Sequence, residues 1–189
     1  NNSESLRDIY SKFLPEIISL SNKFGQSKII YNSLVKLKER NNFDQIKNRI
    51  LEKEILEMQH RGISLLKNDQ EEFNNISEKL GKLTTDFSNN VLDATNHWIL
   101  ILNKKSEVDG LPERVLEMMA ISAHNHLKKE GEVDIKNGPW KLSLDIPTYT
   151  SFMTYATDRN LREKLYKAFV GRASQGENNN SQIIEEILS

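Results

Sequence analysis

Between Phe73 and Ala94 the apolar side chains fall at Phe73, Ile76, Leu80, Leu83, Phe87, Val91 (or the neighbouring Asn90) and Ala94, in steps that alternate between three and four residues. On a backbone with ~3.6 residues per turn, that alternation draws one narrow stripe along a single long helix. Such a stripe requires another element laid along it. The fold class that satisfies it is mainly α: a multi-helix, bundle-like lobe with antiparallel helix pairs. Asp69 and Glu72 resemble a capping box at the start of this helix, and the preceding helix is the expected antiparallel partner. Gly81 lies inside the helix, where glycine costs about 1 kcal/mol relative to alanine. Close packing is the expected reason for it.

Similar periods predict the neighbouring helices. Leu6, Ile9, Tyr10, Phe13, Leu14, Ile17, Ile18 and Phe24 predict a helix over residues 4–24, kinked or split at Pro15 and ended by Gly25. A second is expected over 26–40 through Ile29, Ile30, Leu34 and Leu37, with a break at Asn41 and Asn42. A third starts at Asp44, carries Ile46, Ile50, Ile55 and Met58, and fades near Gly62.

The period then changes. Residues 97–103 are apolar, aromatic and β-branched and read as a strand. Residues 140–146 alternate strictly and read as a second, half-buried strand. A lone pair of strands is marginal in water, so the two are expected to form a small two-stranded antiparallel ribbon packed on helices. Between them a helix should start with Pro112 and run to about Lys129, closed by Gly131. A short helix carrying Tyr149, Phe152, Met153 and Tyr155 is expected after Pro147. Asp158 caps the next, which carries Leu161, Leu165, Tyr166, Phe169 and Val170. A polar loop over 174–180 leads to a last helix opened by Ser181, with Ile183, Ile184, Ile187 and Leu188. No internal repeat or domain linker is visible, so a single lobe over residues 1–189 is expected.

Composition narrows the function classes. The net charge is -1 with both signs interspersed, against a nucleic-acid partner, which leaves a basic footprint. No cysteine is present, which removes disulfides, thiolate metal sites and cysteine nucleophiles. No apolar run approaches the ~20 residues that cross a bilayer, so no membrane partner is expected. A reducing cytoplasmic compartment agrees with this usage.

Catalytic motifs are missing. Zinc peptidases of the thermolysin type place two histidines one turn apart with a glutamate between them. The four histidines here, His60, His97, His124 and His126, form no H-E-x-x-H. His124 and His126 are two positions apart, which on a helix turns them about 200° from each other. There is no nucleophile elbow and no phosphate-binding glycine loop. The acidic pairs Glu71–Glu72 and Glu185–Glu186 are adjacent on helices and diverge. Trp98 and Trp140 read either as ligand-stacking residues or, more simply, as anchors of the ribbon. No catalytic and no metal-ligating residue is assigned.

A series of blocks carries a family resemblance. Residues 86–95 (DFSNNVLDAT) are followed by 110–113 (GLPE), 144–149 (LDIPTY), 153–155 (MTY), 161–166 (LREKLY), 172–174 (RAS) and 183–188 (IIEEIL). Towards the start, Leu6-Arg7, Leu14-Pro15 and Gly25-Gln26 continue it more weakly. In order and spacing the series resembles the N-terminal helical region of zinc metallo-oligopeptidases of the thimet oligopeptidase and oligopeptidase A family. The loop over 175–180 is shorter than in many members.

The resemblance implies a helical clamshell around a deep channel that admits short peptides, with zinc held by H-E-x-x-H and a downstream glutamate beyond Ser189. The chain would then be a non-catalytic channel-wall lobe. Its own cofactor set is empty and its partner is the catalytic half of the same polypeptide. Asn89 and Asn90 could face the channel, since side-chain amides pair with an extended peptide backbone. The other reading is that they bond neighbouring helices or the ribbon. Tyr149 and Tyr155 are open between peptide contact and core packing. The absence of an initial Met and the uncapped final stripe are expected to mark truncation at both ends, with self-association through the last helix as a consequence. Helical periodicity alone is equally compatible with an independent protein-interaction module without enzymatic activity.

Overall fold

Three of the first helices begin on a side chain that holds a free backbone N–H, as helix starts require. In α1 (Glu4–Gly25) the Leu6 amide donates to Ser3 Oγ. In α2 (Lys28–Glu39) the Ile30 amide donates to Ser27 Oγ, and in α3 (Gln45–His60) the Lys47 amide donates to Asp44 Oδ1 at 2.9 Å. These come from a computed structural model of the chain, which describes residues 3–40 and 43–189. The break expected at Asn41 and Asn42 lies outside the described residues. The described residues are mainly helical with one small antiparallel ribbon, as the periodicity predicts. They divide into two compact units, Asn1–Thr85 and Asp86–Ser189, with the boundary inside α4 (Lys67–His97).

In the first unit α2 and α3 run antiparallel. Gln59 Nε2 donates to Tyr31 Oη at 3.0 Å, and Lys38 pairs with Glu52 at 3.2 Å nearer the connection. α4 lies antiparallel along α1. Gln26 and Asn74 exchange amide hydrogen bonds, at 2.8 and 3.3 Å, and Ile18 sits on Gly81. A methyl group at Gly81 would run into the end of Ile18, so the close approach expected there is present. The stripe on α4 requires a partner but carries no information on which one.

Two other local expectations change. α1 is one helix through Pro15 and is not split there. Proline removes one intrahelical hydrogen bond, but Pro15 and Ser11 are both exposed, so the released carbonyl faces water. α4 starts before Asp69, which therefore lies in its first turn and favours the positive end of the helix rather than forming a cap.

The second unit is built on β1 (Ile99–Leu102) and β2 (Trp140–Ser143), paired antiparallel with Leu102 opposite Trp140 and Leu100 opposite Leu142. Both strands are shorter than predicted, because α4 persists to His97 and Asp145 is taken up as a helix cap. Trp140 and Leu142 point inwards. They join Leu102, Leu144, Met119 of α5 (Glu113–His126), Phe152 of α6 (Ile146–Tyr155) and Leu165 of α7 (Arg159–Val170) in one core. Each such side chain contributes about 1.5–3 kcal/mol on burial. Trp140 Nε1 donates to the Ile135 carbonyl at 3.1 Å, so its one polar group is satisfied. The last helix, α8 (Ser181–Leu188), keeps Ile183 and Ile187 half-buried while Ile184 and Leu188 are exposed.

Pro112 stands at the N-cap of α5 rather than at its first helical position, and Gly131 does not close that helix. α5 ends at His126 in a Schellman turn. The Lys128 amide donates to the Asn125 carbonyl at 3.3 Å, the Lys129 amide donates to the His124 carbonyl at 3.1 Å, and Lys128 takes a φ of 50°. A side chain in that left-handed position is strained by about 1 kcal/mol, which glycine would not be. Lys128→Gly is accordingly expected to stabilise the chain by about 1 kcal/mol in chemical denaturation.

Candidate functional site

α4 carries Asn89 and Asn90 near its C-terminal end, and α6 carries Tyr149 and Tyr155. Asn90 Nδ2 donates to Asn180 Oδ1 at 2.8 Å. Asn180, buried at 2 % exposure, donates through Nδ2 to the Phe87 carbonyl at 3.1 Å, and its backbone amide donates to the Ala173 carbonyl at 2.8 Å. Asn90 thus ties α4 to the loop before α8. Asn89 is half-buried and its side chain makes no hydrogen bond among the described residues. Its amide is the one of the pair with its pairing capacity open.

Tyr149 stacks on Phe169 of α7, ring centroids 3.9 Å apart and planes 19° from parallel. The Arg172 guanidinium lies 3.7 Å from the same Phe169 centroid. Two groups that close cannot share one face of a ring, so Phe169 is held between them. Arg172 Nε also donates to the Phe169 carbonyl at 2.8 Å, neutralising the negative end of α7. Tyr155 is exposed and lines an open groove of about 690 Å³ with Arg114, Val115, Met118, Ile121 and Ser151. Behind it the Tyr155 carbonyl presses on Gly110, which has a φ of 85° and no room for a side chain. The contacts of the four residues do not converge on one point: Asn90 engages Asn180, Tyr149 engages Phe169, and Tyr155 faces its groove.

Two residues that the periodicity does not single out organise this region, Asn180 and Arg172. Arg172 belongs to one of the sequence blocks, but its stacking on Phe169 is a tertiary contact. Asn180 sits in a polar loop, and nothing local distinguishes it from Asn178 or Asn179. A second hollow, about 500 Å³, lies between the end of α4 and the end of α7, lined by His97, Trp98, Lys167, Arg172 and Ser174. Trp140 is core and Trp98 is half-buried against that core, so both tryptophans anchor the ribbon.

The histidines stand in the last turns of helices: His60 in α3, His97 in α4, His124 and His126 in α5. That placement suits the negative helix end. Among the described residues no three His, Asp or Glu side chains could hold a metal ion together. Among the described residues no helix is long and apolar enough to cross a membrane.

Asp145 links the ribbon to α6. Burial pushes its carboxyl group up, but hydrogen bonds from Ser143 (2.5 Å) and from the Thr148 amide (3.0 Å) together hold it below the usual aspartate range.

Comparison with known proteins places this geometry. The family model for the N-terminal domain of neurolysin and thimet oligopeptidase matches residues 1–71. A probable cytosolic oligopeptidase A of Arabidopsis thaliana is 37 % identical over 186 residues, covering 97 % of this chain and 26 % of that protein. The oligopeptidases A of Haemophilus influenzae and Escherichia coli are 35 % and 32 % identical over the whole chain, which covers 28 % of each. The chain resembles the N-terminal region of the oligopeptidase A family. It spans about a quarter of the length of the curated relatives it matches. The family model covers α1–α3 and the start of α4, where the sequence blocks are weakest. The curated relatives extend the oligopeptidase A likeness through the blocks of the second unit.

Two measurements follow from this site. Asn180→Ala should destabilise the chain by about 2 kcal/mol, leaving the Asn90 amide unpaired and removing the second hydrogen bond to the Phe87 carbonyl. Asn90→Ala should cost about 1 kcal/mol or less, being only half-buried. Thermal unfolding of both variants checks the order. Asp145→Ala should cost about 1 kcal/mol at neutral pH through loss of the α6 cap. Because the folded carboxyl titrates below its unfolded value of ~3.9, the native contribution is full above that pH and is lost as pH falls through the lower folded value. The stability gap between wild type and variant should therefore narrow below about pH 4.

Proposed function

We propose that the chain forms a non-catalytic channel-wall lobe of a zinc metallo-oligopeptidase that degrades short peptides in the cytoplasm. The observation that carries this reading is the similarity to oligopeptidase A, which runs along the chain from the first helix to the last. The chain contains no H-E-x-x-H, so in this reading the zinc and its general base come from the catalytic half of the same polypeptide. That half is the lobe's first partner, and the exposed apolar edge of α8, at Ile184 and Leu188, is a face suited to it or to another copy.

The role left to these helices is exclusion and orientation. A rigid wall of packed helices restricts a channel to unfolded chains. Half-buried amides and exposed phenols can then pair with an extended backbone, which alternates donors and acceptors. Asn89 and Tyr155 are the two residues whose surroundings leave them available for such pairing. Asn90 and Tyr149 support the wall that presents them.

The test has two arms. The purified 189-residue chain should bind no stoichiometric zinc and cleave no peptide, whereas the chain continued as in its relatives should hydrolyse short peptides and lose that activity to a chelator. In the longer protein, Asn89→Ala and Tyr155→Ala should raise KM about threefold to tenfold with little change in kcat, since uniform binding is what a wall residue supplies. Cleavage by the 189-residue chain alone, or a longer protein inactive on every short peptide tried, would overturn the reading.

A further inference from the structure

Asn137 is the one asparagine of the chain that is followed by glycine. An asparagine so placed is chemically labile. The backbone nitrogen of the next residue can attack the side-chain amide carbon and close a five-membered ring, and glycine offers that nitrogen with no side chain in the way. The pair stands in the turn before β2, with Asn137 exposed and Gly138 half-buried. One residue, Asp134, occupies both reacting groups in the folded turn. Asn137 Nδ2 donates to Asp134 Oδ2 at 2.9 Å, and the Gly138 amide donates to the Asp134 carbonyl at 3.0 Å. Asp134 Oδ1 accepts from the backbone amides of Lys136 and Asn137, at 3.0 and 2.9 Å. These bonds, that of the Asn137 side chain foremost, hold the Asp134 carboxyl group below the usual aspartate range.

Each contact works against ring closure. The attacking nitrogen must give up its proton, and an N–H that donates to a carbonyl gives it up less readily. A side-chain amide that donates to a carboxylate has a carbon less open to attack. With the amides of both Asn137 and Gly138 held, the backbone cannot swing the two reacting atoms together. We infer that Asn137–Gly138 is a deamidation site that Asp134 keeps closed in the folded chain.

When the turn opens, the Gly138 nitrogen passes its proton to water and bonds to Asn137 Cγ. The Cγ–Nδ2 bond breaks and the nitrogen leaves as ammonia. One water then opens the ring at either of its carbonyls, leaving aspartate or isoaspartate, with no change of oxidation state. The product cannot return to the closed turn. A carboxylate stands where the Asn137 amide donated to Asp134, and two like charges oppose each other. The Ile135 carbonyl of the same turn accepts from Trp140 Nε1 at 3.1 Å, and a side chain at Gly138 would run into the Trp140 ring. Deamidation therefore acts on the turn that seats a buried core tryptophan.

Peptide mapping by mass spectrometry of the 189-residue chain, incubated at neutral pH with and without urea, tests this. In urea Asn137 should convert faster than any other asparagine. In native buffer its conversion should be slower by about tenfold or more, since it then waits on local opening of the turn. Asp134→Ala should raise the native rate about tenfold. Asp134→Asn, which keeps an oxygen for the backbone amides, should fall between the two. Asn180, buried and followed by Ser181, reports on loss of the whole fold, and its rate should be the same in all three chains. The converted chain, separated by charge, should unfold at a lower temperature than the unconverted one. Equal native rates at Asn137 in wild type and Asp134→Ala would overturn the proposal, as would a native wild-type rate as high as that in urea. Acceleration of Asn180 in step with Asn137 would also overturn it, because the fold and not the clamp would then set the rate.

Discussion

A two-stranded ribbon has too little surface to stand in water by itself, and most of the second unit follows from where its inner face is buried. Trp140 and Leu142 project from β2 into a space closed by Met119, Phe152 and Leu165, one residue from each of three helices. Leu102, opposite Trp140 in β1, completes the layer. Once the ribbon is covered in this way, α5, α6 and α7 have fixed neighbours, and so do the groups they carry outward. Tyr149 reaches Phe169 because α6 packs on the ribbon and α7 packs on α6. Asp145 caps α6 because β2 ends two residues before it.

Polar side chains then set what the apolar core leaves open. The Asn90–Asn180–Phe87 link ties a helix to a loop that would otherwise have only polar residues to hold it. Arg172 serves two ends at once, neutralising the C-terminus of α7 and stacking on Phe169. Such contacts contribute modestly each, about 1 kcal/mol for a net hydrogen bond. Their effect is on position: they decide that Asn90 is engaged by its surroundings while Asn89, one residue away, is not.

The first unit is built differently. Leu14, Met58, Ile63 and Leu83 are its buried large hydrophobic residues, and α2 buries none. Polar clamps hold its turns, notably Arg61 on Ser21 at 2.8 Å and Gln26 on the Arg61 carbonyl at 2.9 Å. Much of its apolar surface, on α1 above all, faces outward.

The sequence by itself determined the helical class, the order of the elements, the antiparallel ribbon and the family likeness. These rest on periodicity, cap residues and motif order, which are properties of contiguous residues. It also marked Asp158 as a cap, since a cap bonds amides only two or three positions away. Tertiary structure alone decided that α4 lies along α1, because an apolar stripe needs a partner but does not specify one. It also decided that α5 closes on Lys128, that α1 continues through Pro15, and that Asn180 rather than its neighbours is the buried amide. Each of these depends on which side of a residue faces water, and that is set by packing between segments far apart in the chain.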